Sequence, residues 1–259
     1  MPLPKKLKNV LRFGVGPGAK RRKKALKLKE RALAFEARFR PGKAALVSRG
    51  YASYDAYVAH QASKLDAIIG RLREVEADDY AEFVRRFTAC GPLRSARTIL
   101  CLGARLGTEV RALHALGHFA VGIDLNPGDN NAHVLPGDFH RIQFPDGSVD
   151  GVYTNALDHV FDLPRLVGEV VRVLRRGGLF VVDIVAGYEE GHLPGHWEAM
   201  HWARIEDVAT ALAVAGGFDS VESRDLGRFR DGSYRQLVLR KPLSGAVPPE
   251  HAGLEAASA

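Results

Sequence analysis

The stretch ILCLGARLGTE, residues 99–109, decides how this chain folds. With Thr98 in front of it, the first part is a short β-rich apolar run, Thr98–Gly103. Helical spacing begins at Thr108 and continues to Leu116. A strand that ends on a glycine and gives way to a helix within one turn is the start of a parallel β–α unit. The same alternation continues outward from it. Strands are expected at 119–124, 132–135, 149–154 and 179–184. A helix capped by Asp162, with Pro164 in its first turn, carries the apolar stripe Leu163, Leu166, Val167, Val170, Val171 and Leu174 and stops at Gly177-Gly178. A further helix carries Ile205, Val208, Ala209 and Leu212, with Glu206 and Asp207 in its first turn. Two late strands, about 219–227 and 233–240, flank the hairpin signal Asp231-Gly232. Near-continuous apolar strands alternating with helices predict an α/β fold: a doubly wound, mostly parallel, seven-stranded sheet covered on both faces.

Upstream of residue 96 the pattern is helical. Ser53 is placed to cap a helix carrying Tyr57, Val58, Gln61, Leu65 and Ile68 on one face, and another is expected from about Asp78 to Thr88, before Gly91-Pro92. The organisation expected is therefore a basic arm over 1–45, partly helical through Leu28, Ala32, Phe35 and Phe39. A helical cap or appendage follows over 46–95, then the sheet domain over 96–242, and a Pro-, Ala- and Gly-rich tail over 243–259 that reads as disordered. Charge divides along the same line. Residues 1–45 hold 15 Lys/Arg against Glu30 and Glu36, a net of +13, so the overall +7 leaves a mildly acidic body. The high basicity is thus no sign of a basic cleft. Cys90 and Cys101 form neither a disulfide framework nor a zinc motif, which suits a reducing compartment. No apolar run reaches membrane-spanning length, and the charged N-terminus lacks a secretory h-region, so a cytoplasmic location is expected.

In open α/β sheets ligands lie beyond the carboxyl ends of the strands. There the chain offers Gly103-Ala104-Arg105-Leu106-Gly107 after the first strand and Asp124 at the end of the second, 21 residues after Gly103. A glycine lets a ligand approach the backbone, and a carboxylate at the second position can accept from both hydroxyls of a ribose. Arg105 interrupts any G-x-G-x-x-G pattern, which argues against a dinucleotide.

Taken in order, ILCLGARLGTE (99–109), GIDLNPG (122–128), GDFH (137–140), FPDGSVDGVYTN (144–155) and EVVRVLRRGGLFVVD (169–183) resemble the class I S-adenosylmethionine-dependent methyltransferases of the small-molecule, type 11-like kind, over roughly residues 97–185. The resemblance implies a Rossmann-like fold, S-adenosylmethionine as cofactor and methyl transfer to a small-molecule substrate. It implies that Gly103, Ala104 and Gly107 line the methionine portion, that Asp124 binds the ribose with Leu125 beside the adenine, and that Asp138 accepts from the adenine amino group with Phe139 next to it. Asn155 would lie near the transferable methyl. Two positions depart from the family pattern: Cys101, where an acid is usual, and Arg105, where glycine is usual. Arg105 could pair with the methionine carboxylate or fold outward, and Glu109 could replace the missing acid.

Methyl transfer to a hydroxyl or amine needs a base, and Asp158 and His159, just past the fourth strand, are the first candidates. Tyr188, Glu189, Glu190, His192, His196, Trp197, His201 and Trp202 crowd the segment after the fifth strand and read as a substrate-facing lid or a solvated loop. Pro194-Gly195 keeps His192 and His196 from sharing a helix face, so no metal site is expected. His140 is expected at the surface. His60, Gln61 and Lys64 either close over the site or form the polar side of their helix. The arm could dock on nucleic acid or an anionic membrane, or be a solvated extension. The alternatives kept open are an RNA or protein methyltransferase docking through that arm and a non-catalytic S-adenosylmethionine-binding protein.

Overall fold

The computed structural model describes residues 45–230 and 232–243, together with Leu26 and Phe39. A strand β1 (Leu46–Ser48) leads into helices α1 (Tyr54–Ala62) and α2 (Lys64–Ala89). The sheet domain follows as β2 (Thr98–Leu102), α3 (Thr108–Ala115), β3 (Phe119–Asp124), β4 (Val134–Pro136), β5 (Val149–Thr154), α4 (Leu163–Val173), β6 (Leu174–Val185), β7 (Met200–Trp202), α5 (Ile205–Gly216), β8 (Asp219–Phe229) and β9 (Gly232–Arg240). Seven strands form one sheet in the order β4-β3-β2-β5-β6-β9-β8. The first five are mutually parallel, and β9 runs antiparallel between β6 and β8. Strand order reverses between β2 and β5, and that switch point is where such sheets open a crevice.

Both faces of the sheet are covered, as the apolar strands require. Leu100, Leu102, Val152, Phe180 and Val182 face α4 and α5, while Ile99, Cys101, Tyr153 and Val181 face α3 and the second half of α2. Helix α4 is built as its sequence demands: the Asp162 carboxylate accepts from Arg165 N–H at 3.0 Å, Pro164 sits in the first turn, and Leu163, Leu166, Val167, Val170 and Val173 are buried.

The elements differ from the expectations in five places. The helix expected to carry Tyr57 through Ile68 is divided at Ser63 into α1 and α2. Helix α2 is one continuous element where a separate helix was expected from about Asp78, because the charged stretch 71–79 contains no proline or other breaker. Strand β6 begins at Leu174, not Leu179: Gly177, at φ 73°, makes an irregularity inside the strand instead of closing a helix. A two-stranded antiparallel pair, β1 with β7, joins the segment before α1 to the segment after β6. Finally, β8 and β9 extend to Phe229 and back to Gly232, while Asp231 lies outside the described residues. The basic arm likewise lies outside them, except that Leu26 is exposed and Phe39 is buried with Val47 against Tyr188 and Leu193. The Pro-, Ala- and Gly-rich tail beyond Leu243 is outside them as well. No helix among the described residues is long and apolar enough to cross a membrane.

One polar network is embedded in the sheet. The fully buried Asp183 carboxylate accepts from Arg86 at 3.0 Å, from Tyr153 OH at 2.8 Å and from Gln236 Nε2 at 2.8 Å. Arg86 also donates to Glu82 at 2.7 Å and lies under the Tyr234 ring, 4.9 Å from its centroid. The network ties α2 to β5, β6 and β9. Removing one partner of a buried ion pair leaves the other charge uncompensated, so Asp183→Ala is expected to lower unfolding free energy by about 3–5 kcal/mol. Tyr153→Phe removes a single donor and should cost only about 1–2 kcal/mol. Urea unfolding of the two variants checks the ranking; a loss below about 1 kcal/mol for Asp183→Ala contradicts it.

Candidate active site

The loop after β2 is shaped by its neighbours. Gly103 has φ 71°, and a Cβ there would lie 2.7 Å from the Ala156 Cβ, so only glycine lets the ends of β2 and β5 approach this closely. Arg105 adopts a left-handed φ of 44°, which costs a non-glycine residue about 1 kcal/mol. Two hydrogen bonds hold it there: its N–H donates to Asp124 Oδ2 at 3.0 Å, and its carbonyl accepts from Asn131 Nδ2 at 2.9 Å. This conformation explains why glycine is the usual residue at this place. Gly107, at φ 75°, caps α3 and packs against His133 and Val134 rather than facing a cavity.

The crevice itself has three adjoining parts. A small hollow of about 40 Å³ is lined by Gly103, Arg105, Asp124, Leu125, Phe139 and Ala156, with Tyr57, Gln61 and Lys64 opposite. A cleft of about 440 Å³ shares Lys64, Gly103, Arg105, Ala156 and His159 with it and adds Ala104, Glu109, Asn155 and Asp158. A cavity of about 210 Å³ continues past Asn155 and Asp158 to Trp202, Tyr234 and Glu198. Of the residues expected at a cofactor, Gly103, Ala104, Arg105, Asp124, Leu125, Phe139 and Asn155 thus line one crevice. Gly107 and Asp138 do not. The Arg105 guanidinium makes no hydrogen bond or ion pair among the described residues, and it faces the crevice rather than folding outward.

Asp138 is engaged by protein groups. Its Oδ2 accepts from Tyr54 OH, and its Oδ1 accepts from the His140 backbone N–H at 2.8 Å and the His140 ring at 3.1 Å. Although burial opposes the charge, these bonds hold the carboxyl down at about 2. His140 is not at the surface as expected; it is 1% exposed. Its Nε2 accepts from the Phe161 and Asp162 N–H groups at 3.3 and 3.1 Å, so its proton sits on Nδ1, facing Asp138. Burial and the Asp138 hydrogen bond push the Tyr54 phenol well up.

The remaining contacts roof the crevice. Tyr57 OH donates to His159 O at 3.0 Å, Gln61 Nε2 to Trp197 O at 2.7 Å, and Asn126 Nδ2 to Ala62 O at 2.8 Å. His60 stacks on Trp197 with ring centroids 4.9 Å apart. So α1 and the start of α2 do close over the site. The segment 188–202 divides: His196 and Trp197 meet α1, whereas His192 and the buried His201 lie together beside β1, with His201 Nε2 2.9 Å from His192 O. Burial takes His201 down to about 4. Among the described residues no three His, Cys, Asp or Glu groups converge as metal ligands would.

Asp158 and His159 both reach the crevice. Burial and the nearby Glu198 raise Asp158 to about 7. His159 donates from Nδ1 to Trp197 O at 3.0 Å, and its Nε2 lies 2.5 Å from Lys64 Nζ; burial and then Lys64 drive it well below its ordinary value. Cys101 is buried in the sheet, and burial raises its neighbour Glu109 to about 8, so Glu109 is largely uncharged near neutral pH. Sequence reasoning did not place Tyr54, Tyr57 or Glu198 at the site; the clustered tyrosines 51, 54 and 57 were the available signal for the first two. Because Asp138 fastens α1 through Tyr54, Asp138→Ala should accelerate amide exchange across Tyr54–Ala62 by about tenfold while leaving the distant α5 amides unchanged. Hydrogen-exchange mass spectrometry checks this, and unchanged α1 protection contradicts the latch.

Comparison with known proteins bears on this geometry. Residues 100–182 match the family model described as "Methyltransferase domain". Two curated plant proteins are similar to part of the chain. One is 24-methylenesterol C-methyltransferase 2 of Oryza sativa subsp. japonica, 30% identical over 155 residues, which are 49% of this chain and 43% of that protein. The other is an uncharacterized chloroplastic methyltransferase of Arabidopsis thaliana, 44% identical over 130 residues, 45% of this chain and 34% of that protein. The chain thus spans less than half the length of either relative. Among solved structures, Burkholderia thailandensis 1,6-didemethyltoxoflavin-N1-methyltransferase, with 1,6-didemethyltoxoflavin and S-adenosylhomocysteine bound, superimposes with a TM-score of 0.60 at 19% identity, over 78% of this chain and 97% of that one. The chain thus carries a segment that matches a methyltransferase domain, on the fold of that solved methyltransferase, with a crevice at the switch point of its sheet.

Proposed function

We propose that this protein transfers the methyl group of S-adenosylmethionine to a small-molecule acceptor. The observation that carries the reading is the convergence of Gly103, Ala104, Asp124 and Arg105, whose guanidinium has no partner among the described residues, on one crevice that continues into a second cavity. The crevice fits the cofactor chemically. Among the described residues Asp124 accepts only from two backbone N–H groups, Arg105 at 3.0 Å and Asn126 at 2.9 Å, so its carboxylate retains lone pairs for ribose hydroxyls. Leu125 and Phe139 supply apolar surface for an adenine. Arg105 supplies the cation for the methionine carboxylate, a stronger partner than the buried, uncharged Glu109 could be for its ammonium. Asp138 fastens α1 instead of reading the adenine amino group.

When bound, the cofactor supplies a methyl group already activated by its sulfonium charge. What remains for the protein is alignment and exclusion of water. Asn155, at the junction of the cleft and the 210 Å³ cavity, marks where cofactor and acceptor meet. The roof made by α1, α2 and the Trp197 segment supports an enclosed acceptor of low molecular weight. Both the sterol methyltransferase and the didemethyltoxoflavin methyltransferase are named for acceptors of that size. Asp158 and His159 form the polar wall on the acceptor side.

Calorimetric titration tests the reading. S-adenosylmethionine and S-adenosylhomocysteine are expected to bind saturably to the full chain, and Asp124→Ala should weaken both by at least about tenfold, or about 1.4 kcal/mol. Absence of binding to folded wild type, or equal affinity in the variant, contradicts it.

A further inference from the structure

Resting on the methyl-transfer reading, we infer that Lys64 is the base that removes a proton from the acceptor, and that the acceptor atom therefore carries an N–H or O–H bond. Lys64 is the first residue of α2, and its side chain is buried, 9% exposed. A buried ammonium ordinarily sits against a carboxylate. Here the hydrogen-bond partner is a histidine nitrogen: Nζ lies 2.5 Å from His159 Nε2. The Trp197 carbonyl, 3.0 Å from His159 Nδ1, can only accept, so the ring proton is on Nδ1 and the Nε2 lone pair faces Lys64. Lys64 must donate one N–H into that lone pair, which removes His159 itself as a base and makes it the positioning residue. Lys64 lines both the small hollow and the main cleft, and the cleft shares Asn155, Asp158 and Glu198 with the cavity assigned to the acceptor.

The surrounding charges keep this amine near its titration point. Burial first, then the Arg105 cation, lower Lys64 to about 7; Asp158, Glu198 and Asp124 oppose them. The groups facing it come from every side: Arg105 from the loop after β2, Asp124 from β3, Asp158 and His159 from the turn after β5, and Glu198 from the segment before β7. A sulfonium held in the same crevice adds one more cation and favours the neutral amine; the uncharged thioether of S-adenosylhomocysteine does not.

In the step, the acceptor's X–H bond breaks and its proton goes to the Lys64 amine. The released electron pair forms the X–CH₃ bond, and the C–S bonding pair returns to sulfur, which becomes a neutral thioether. The Lys64 ammonium gives its proton to solvent once the products leave.

The test needs no acceptor. S-adenosylmethionine and S-adenosylhomocysteine are each titrated into the full chain at pH 7 in two buffers of different ionisation enthalpy, which counts protons exchanged on binding. A base half-protonated at that pH should release about half a proton more with S-adenosylmethionine, a difference that fades toward pH 9. In Lys64→Met the difference between the two ligands should vanish, whatever the change in their affinities. Equal proton counts for the two ligands in wild type overturn the assignment of Lys64, as does a difference that survives in Lys64→Met. If that variant does not fold, the wild-type profile from pH 5 to pH 9 decides: a difference that peaks below pH 7 and vanishes toward pH 9 supports the base, and a flat profile overturns it. Failure of either ligand to bind overturns the methyl-transfer reading itself, a result distinct from equal proton counts.

Discussion

The reversal of strand order between β2 and β5 is the constraint on which the rest depends. Helices following strands on opposite sides of that point must diverge, and the gap between them cannot be closed by the sheet. The residues we propose for function gather there: the Gly103 loop at the end of β2, Asp124 at the end of β3, and Asn155 to His159 at the end of β5. The close approach of Gly103 to Ala156 is the local expression of the same constraint, since a side chain at 103 would push the two strand ends apart.

What distinguishes this chain is the way the gap is roofed. The junction of α1 and α2 is held by hydrogen bonds from Tyr54, Tyr57, Gln61 and Asn126, and two of those bonds end on backbone carbonyls of the wall itself, His159 and Trp197. Roofing excludes water, and excluding water changes the acid–base character of what lies beneath. Asp158 and Glu109 rise, Lys64 and His159 fall, and Asp138, with three donors, stays ionised. The electrostatics of the crevice follow from the packing of one helix corner.

The sheet was legible because its strands are buried on both faces and bounded by turn residues. β3 and β5 carry the limits that their apolar runs suggest, 119–124 and 149–154. The start of β6 was not, since Gly177-Gly178 after an amphipathic helix reads as a stop although the chain runs through it in extended form. The β1–β7 pair was hidden because three-residue strands carry no periodicity. The side of the crevice that we assign to the cofactor was suggested by the spacing of Gly103 and Asp124 along one β–α–β path and by the family resemblance. The other side was not: Lys64 meets His159 across 95 residues of sequence and Tyr54 meets Asp138 across 84, and no local pattern links such partners. His140 looked like a surface residue for the same reason, since its burial comes from Tyr54 and from backbone amides 21 and 22 residues away.

The central claim is that the crevice at the β2–β5 switch point is the cofactor site. A crystal structure of the full chain grown with S-adenosylhomocysteine tests it most directly. The account predicts the ribose hydroxyls on Asp124, the adenine between Leu125 and Phe139, and the carboxylate of the ligand on Arg105. A ligand found elsewhere, or one in the crevice with Asp124 and Arg105 both turned away from it, would contradict the account.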